Sequence, residues 1–402
     1  MVTLRTAVLV VLPVLLILGA HCTYGIGAKN GHFKEIFELV SADDALFPGS
    51  NSPLLRRYTG FERIDHQLQV LVTFFSPVVD AENRDLMLFC IFGAGQFGGA
   101  WTLMMMESFR LGNTGRLVSY IGIVGVLVQN IAFTVAVPLY LFLHLLTSPT
   151  ANLYRYNTHL LLVQALDLKI LPLTIFLGYV VPSTLIALPI FSSAVHQQLI
   201  AFWQLFPVWA VVIHSIIRFP MANSATGDSR TLSRSQAQYD RDSSELRGPP
   251  YLERAGTLYQ FVLAICHATH LPILAITLLP STSFAGGSPT VTHLLQSDFV
   301  NVFIPYRMGV IHKVSGLAEG ALAFLQWDIY IGSAALLLWA LVVYQNATRE
   351  SMKPFSIKAR WLKLAWEIPV YFIASGPVGA LTVVLWERDL AVRFDQEKKI
   401  RD

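Results

Sequence analysis

The sequence predicts an all-α fold, a polytopic transmembrane helix bundle with about eight spans. Three observations predict it. Of 402 residues, 54% are hydrophobic and 14% are charged, where a soluble domain carries about 25% charged residues. The apolar residues gather into runs of roughly 20, the length a helix needs to cross a bilayer. Those runs lack the two-residue alternation of barrel strands. Mean hydropathy is +0.52. The net charge of +3 is too balanced for a nucleic-acid partner, so none is expected. Three scattered cysteines, Cys22, Cys90 and Cys266, cannot form a disulfide framework or a structural zinc site.

The spans follow in order. Leu4–Ala20 has Arg5 ahead of an apolar run, like a signal peptide. His21-Cys22-Thr23-Tyr24 is a poor small-residue cleavage site, so the segment reads as an uncleaved anchor. Residues 21–66 form a mixed polar loop with turn chemistry at Phe47-Pro48-Gly49-Ser50. Gln67–Val79 is too short to cross and reads as re-entrant, interfacial or packed on the bundle. Leu86–Met106, Ile121–Leu146, Ile170–Phe191 and Leu199–Ile217 complete a five-helix half. Residues 222–250, rich in Ser, Arg, Asp and Gln, cannot bury enough apolar area to fold alone and read as a flexible polar loop. Leu258–Leu279, Ala323–Tyr344 and Leu364–Trp386 form a three-helix half. Residues 1–402 are expected to form one integral membrane domain. The absence of an internal repeat argues against transporters built from repeats.

Ionisable groups inside spans cost at least roughly 2.5–3.5 kcal/mol at the bilayer centre, so each invites a functional reading. Three acids qualify. Glu107 shares a helical face with Gln96, Ala100 and Leu103. It is either an acid of a site or half of a headgroup-level pair with Arg110. Gly93, Gly95, Gly98 and Gly99 allow another helix to approach. Asp328 shares its face with Gly332 and Ala335, so it points into a helix contact, for function or for a structural hydrogen bond. Glu367 leads a stripe of Tyr371, Ala374 and Ser375 beside Pro369 and Pro377. Its bland reading is a carboxylate favoured by a helix N-terminus. His267 and His270 lie one turn apart, but no Glu-x-x-His motif accompanies them, so hydrogen bonding is the preferred role and no metal is expected. Trp101 and Trp327, with Trp203, lie deep or beside polar groups. They read either as packing or as walls for an apolar or cationic species.

Several motifs are missing. There is no Walker A loop and no His-Glu-x-x-His. Gly93-Ala-Gly95-Gln-Phe-Gly98 matches a dinucleotide fingerprint by letter, but it sits inside an apolar span with no strand before it. No Asp-x-Asp-Asp motif is present to ionise a diphosphate, and no cofactor is expected.

The stretch Phe47-Pro-Gly-Ser-Asn-Ser-Pro-Leu-Leu-Arg-Arg-Tyr-Thr-Gly60 has a familiar look, as do Asp65-His-Gln-Leu68 and Phe74-Phe-Ser-Pro-Val-Val-Asp80. Gly93-Ala-Gly-Gln-Phe-Gly-Gly-Ala-Trp101, running into Met106-Glu107-Ser-Phe-Arg110, adds to them. Together they resemble fungal membrane-bound terpene cyclases of meroterpenoid clusters, of the ascochlorin/ascofuranone type and related to indole-diterpene cluster cyclases. The resemblance covers roughly residues 45–110. It implies a diphosphate-independent cyclase of isomerase or lyase type that acts on a lipophilic, epoxidised, prenylated aromatic or terpenoid held in the bilayer. It implies a prenyltransferase and an epoxidase as pathway partners and the endoplasmic reticulum as location. In that reading one of Glu107, Asp328 and Glu367 protonates the epoxide and the others orient or accept, while Gln96, Trp101, Trp327 and Tyr371 contact substrate. The competing readings are a multi-pass transporter or a non-catalytic membrane protein of the same pathway.

Overall fold

In the computed structural model, the described residues are 3–47, 51–79, 83–153, 158–188, 190–225, 249–279, 297–351 and 354–401. Among them only helices form, apart from one isolated bridge between Leu46 and Pro53. The turn expected at Pro48-Gly49-Ser50 and most of the 222–250 loop lie outside the described residues.

Thr3 caps α1 (Leu4–Ala20), its hydroxyl accepting from the Thr6 N–H at 3.2 Å. The helix runs through a π-type turn at His21–Gly25 into α2 (Ile26–Asn30), giving one 27-residue apolar rod. Gly31, at φ 104°, then turns the chain into α3 (His32–Ser41). The short apolar stretch after it belongs to α4 (Glu62–Val79), which packs on α3 and on the helices Ser193–Trp203 and Leu317–Ser351. Asn83 caps α5 (Arg84–Ser108), accepting from the Leu86 N–H at 2.9 Å. This helix is apolar on nearly every side and is buried along most of its length, the expected fate of such a sequence. Its glycines do bring neighbours close. A β-carbon on Gly95 would sit 1.7 Å from Thr269 Oγ1, and one on Gly98 would sit 2.4 Å from the Tyr179 ring.

The expected span 121–146 is two helices, α6 (Ile121–Ile131) and α7 (Phe133–Thr147). Ala132 between them takes φ 68°, ψ 154°, a conformation that ends α6. α8 (Ala165–Ile175) continues through a π-type turn at Phe176–Val180 into α9 (Val181–Ala187). The expected span 199–217 straddles a 69° bend between α10 (Ser193–Trp203) and α11 (Phe206–Ala225). After α11 come α12 (Pro249–Leu278), the short α13 (Phe299–Phe303), α14 (Leu317–Ser351) and α15 (Pro354–Arg401).

The last of these corrects another expectation. Ile357–Val392 has the length and apolarity of a span, yet it does not cross once. Lys363 Nζ lies 2.7 Å from Glu387 Oε1. A straight helix would hold those residues about 36 Å apart. The chain doubles back at Gly376, which takes φ 74°, ψ −174°, followed by Pro377 with no N–H to offer. The result is a helical hairpin whose two limbs start and finish at the same end of the bundle. Gln96, midway along α5, holds its tip. The Gln96 amide nitrogen donates to the Ser375 carbonyl at 3.0 Å, and its oxygen accepts from the Val378 N–H at 2.9 Å. These bonds satisfy backbone groups freed by the break, as an apolar interior requires.

Six helical segments among the described residues, the hairpin Ile357–Val392 counted as one, have the length and apolarity to cross a membrane, or seven with the bent pair, and the chain is an all-α polytopic bundle. Val10 at 64%, Ile17 at 68% and Trp366 at 74% exposure point away from it. Water would penalise such side chains, whereas lipid tails accept them.

Candidate active site

The three sequence-chosen acids lie in different environments. Glu107 ends α5 beside Arg388 and Asp389 of the returning limb of α15. Its carboxylate accepts from Arg110 Nε at 2.7 Å and from Arg388 Nη2 at 2.5 Å. Asp389 completes the group, accepting from Arg110 Nη2 at 3.1 Å and from Tyr259 at 3.0 Å and Tyr251 at 3.3 Å. All four charged residues are at most 4% exposed. Two cations and two anions cancel, and the remaining donors find the Leu161 carbonyl and the two tyrosines. Burial opposes the charge on Arg110, but Asp389 and Glu107 hold its pKa well above the ordinary value. The i,i+3 pair with Arg110 therefore exists and is buried within the bundle. Arg388 and Asp389 lay just past the expected end of the last span. Their signal is the charged triplet Glu387-Arg388-Asp389 closing an apolar run.

Glu367 lies on the outgoing limb of the hairpin, 3.3 Å from Lys363, which is half exposed and also binds Glu387. Tyr371 follows it, half-buried, on the same limb. Gln96 spends both amide atoms on the hairpin tip. Trp101 is fully buried, edge-to-face with Phe206 at 5.5 Å. His267 and His270 also serve the tip, His267 Nδ1 at 2.8 Å from Ser375 Oγ and His270 Nε2 donating to the Ile373 carbonyl at 3.0 Å. No group of three metal-ligating side chains occurs among the described residues.

Asp328 differs from the other two acids. It is 9% exposed, in the first half of α14, and no ion pair reaches it among the described residues. Its Oδ1 accepts from the Thr134 N–H at 2.8 Å, capping α7 just past the break at Ala132. Ile329 packs near Gly93 of α5, fourteen residues from Glu107, so Asp328 and the four-charge cluster are about 20 Å apart along that helix. Tyr24 of the first rod lies within electrostatic reach of Asp328. The preceding residue, Trp327, lines a cleft between α1–α2 and α14, together with Thr23, Ile26, Gly320, Phe324 and His312. Phe324 is the hub of an aromatic cluster, with ring centroids 5.5 Å from Tyr24, 6.2 Å from Phe33 and 5.1 Å from Phe74. Of the four residues expected to contact substrate, Trp327 lines this cleft. The cluster's tyrosine and phenylalanines carry no signal in the sequence, because their proximity depends on the first rod, α3, α4 and α14 coming together.

The motif around Asp65 folds a loop. Asp65 Oδ1 accepts from the Thr59 N–H at 2.7 Å and the Tyr58 N–H at 3.1 Å, and its Oδ2 from the Gly60 N–H at 3.0 Å. Burial would raise its pKa, but these bonds win and hold it below the ordinary carboxylate value. Arg56 adds a bond of 2.6 Å to the Val40 carbonyl.

Residues 7–393 match the CtvD domain family. The chain is 31% identical over 392 residues to terpene cyclase ascI of Acremonium egyptiacum, covering 96% of this chain and 93% of that one. It is 28% identical over 379 residues to terpene cyclase ctvD of Aspergillus terreus, covering 92% and 95%. Terpene cyclase sdgD of Emericella nidulans shares 24% over 370 residues, covering 90% and 88%. No solved structure matches.

Proposed function

From the premise that the chain belongs to the CtvD family of fungal terpene cyclases, we propose that it opens the terminal epoxide of a prenylated aromatic or terpenoid and closes a ring, with Asp328 as the acid. The observation that carries this reading is a buried carboxyl group with no cation paired to it among the described residues, adjoining Trp327, which lines a cleft with Phe324. A buried carboxylate is costly unless paired and hydrogen-bonded, and its neutral form avoids that cost. A neutral acid can donate. Asp328 gives its proton to the epoxide oxygen as the carbon–oxygen bond breaks, and the oxygen leaves as a hydroxyl group. An alkene or an internal hydroxyl then attacks the electron-poor carbon. Phe324 and Trp327 line the cleft and offer aromatic rings to cationic character. The sequence has no Asp-rich motif, and this chemistry needs no diphosphate.

The substrate is lipophilic and reaches the cleft from the bilayer. An epoxidase must act before this enzyme, and a prenyltransferase before that. The endoplasmic reticulum is the membrane we assign. Glu107 serves as a structural anchor, and Glu367 is the weaker candidate for a second acid. The test is to incubate membranes containing this protein alone with prenylated epoxides and to look for a product of unchanged mass. D328N should abolish that product, while E367Q should keep most of it. Full activity of D328N, at wild-type expression, would remove Asp328 from the mechanism.

A further inference from the structure

The cleft lined by Trp327 and Phe324 has room for about one water molecule. A prenylated epoxide is far larger, so a wall of the cleft must move for it to enter. Two of the walls are fixed by packing. On α14, Phe324 joins Tyr24, Phe33 and Phe74 in one aromatic cluster. Gly320, one turn earlier, abuts His32, and a β-carbon there would come within 2.1 Å of the imidazole Nδ1. His32 is fully buried and neither of its ring nitrogens has a partner, so packing holds it in place. Parting α14 from the α1–α2 rod would break all of these contacts.

The third wall is different. Tyr306, Arg307, Val310 and His312 line the cleft from the strap 304–316, which joins α13 to α14. The strap forms no helix or strand, and residues 306–313 are all exposed. Both of its ends are fastened to α14. Just before it, Gln326 Nε2 donates to the Val302 carbonyl at 2.9 Å and the Tyr330 hydroxyl donates to the Phe303 carbonyl at 2.7 Å. Just after it, α14 begins at Leu317. Glu319 gathers the middle. Its Oε1 lies 2.6 Å from the Tyr306 hydroxyl and 3.1 Å from His312 Nε2, and its Oε2 accepts from the Ser315 N–H and hydroxyl at 2.7 Å each. The Tyr306 and His312 rings stack at 4.2 Å. The strap is thus a compact loop carried on α14. Its hold on the rod across the cleft is slight. Among the described residues two hydrogen bonds cross, from the Val314 N–H to the Asn30 carbonyl at 3.2 Å and from Lys313 Nζ to the Lys29 carbonyl at 2.9 Å. An exposed loop with so few bonds opens at low cost.

Resting on the reading that this cleft takes the prenylated epoxide, we infer that residues 304–316 are its lid. The strap swings on its two ends at α14, lifts Tyr306, Val310 and His312 off the rod to admit the prenyl chain, and closes over it to shut water out. Met308, Val310 and Ile311 are exposed, an outer face that lipid tails accept, so the lid opens toward the bilayer.

Cys22 lines the same cleft and reports on the lid in membranes containing the full chain. Its alkylation by N-ethylmaleimide is read by peptide mass spectrometry, with the buried Cys266 as control for the fold. E319A removes the latch and should raise the Cys22 rate about tenfold, the effect of one or two lost hydrogen bonds, with Cys266 unchanged. A short bis-succinimidyl ester that bridges Lys29 to Lys313 should do the opposite, lowering both the Cys22 rate and turnover of a prenylated epoxide by about tenfold. K313R given the same reagent cannot be bridged there and should lose neither. Should E319A loosen the whole fold and raise Cys266 as well, the bridged chain decides alone. Failure of the bridge to form would overturn the lid, because the strap would not then lie on the rod. So would unchanged Cys22 alkylation in the bridged chain. A slowed Cys22 beside full turnover would overturn the strap as the substrate's entrance. Wild-type membranes that convert no epoxide would sink the proposed reaction and leave the Cys22 rates to judge the lid.

Discussion

Glu107 and Asp328 are both acids buried in the bundle, and their surroundings are opposites. Glu107 sits in a closed set of two arginines and two carboxylates in which the charges cancel and the tyrosines take up the remaining bonds. Asp328 has a helix N-terminus, and no cation within bonding distance among the described residues. A carboxylate bound to two guanidiniums has little tendency to take up and pass on a proton. An unpaired one in an apolar wall is costly to keep charged and suited to hold a proton for use. A carboxyl group thus fastens helices in one place and, in the proposed reaction, serves the chemistry in the other.

The sharpest way to break that contrast is a pair of amide variants. D328N should lower cyclisation by about 10²–10⁴-fold, the range a positioned general acid supplies. It should leave the melting temperature nearly unchanged, because the amide oxygen can still cap α7. Measured product formation and thermal unfolding in detergent check both halves. E107Q should do the reverse, with destabilisation as its main effect.

Arg388 probes the other region directly. R388A strips Glu107 and Asp389 of a shared cation, and breaking a buried pair typically costs about 3–5 kcal/mol. A large fall in melting temperature is expected. A double variant that replaces Glu107 and Arg388 by methionines should recover part of that loss, because it leaves fewer unpaired charges. Equal losses in R388A and the double variant would show that the cluster does not act as a charge-balanced unit.

His32 extends the comparison into pH. Its folded pKa is about 4, below an ordinary value of 6.5. Above pH 6.5 both states are neutral and the stability is fully present. As pH falls from 6.5 to 4 the unfolded chain binds a proton that the folded chain refuses, so stability drops by about 3 kcal/mol and then levels off. H32F should flatten this window in a series of melting temperatures taken across pH.

The smallest effect is expected at the hairpin tip. G376A places a β-carbon 2.7 Å from the Gln96 amide and strains a positive-φ backbone, at a cost of about 1–3 kcal/mol. Q96A, which frees two buried backbone groups, should cost a similar amount. Both should be read by melting temperature, with activity following stability.

Much of the architecture was legible because a bilayer imposes a length and a composition on every crossing. The runs 4–20, 86–106 and 323–344 each fall within a long helix, and 258–279 overruns one by a single residue. What failed was the assumption that an apolar run is one straight helix. Ala132 breaks 121–146, a 69° bend breaks 199–217, and Gly376-Pro377 folds 364–386 onto itself. Hydropathy is blind to such breaks, because the residues on either side are equally apolar.

The candidate site divides in the same way. The sequence by itself marked Glu107, Asp328 and Glu367, since a charge in an apolar run is visible in any order of reading. It determined the helical class and placed the Glu107–Arg110 pair one turn apart. Tertiary structure alone decided which acid was neutralised, because Arg388 and Asp389 arrive from the far end of the chain through the hairpin return. It also gathered Tyr24, Phe33, Phe74 and Phe324 from three parts of the chain and left His32 behind Gly320. Local sequence sets the cost of burying a charge, but only the packed fold determines whether another charge comes near enough to offset it.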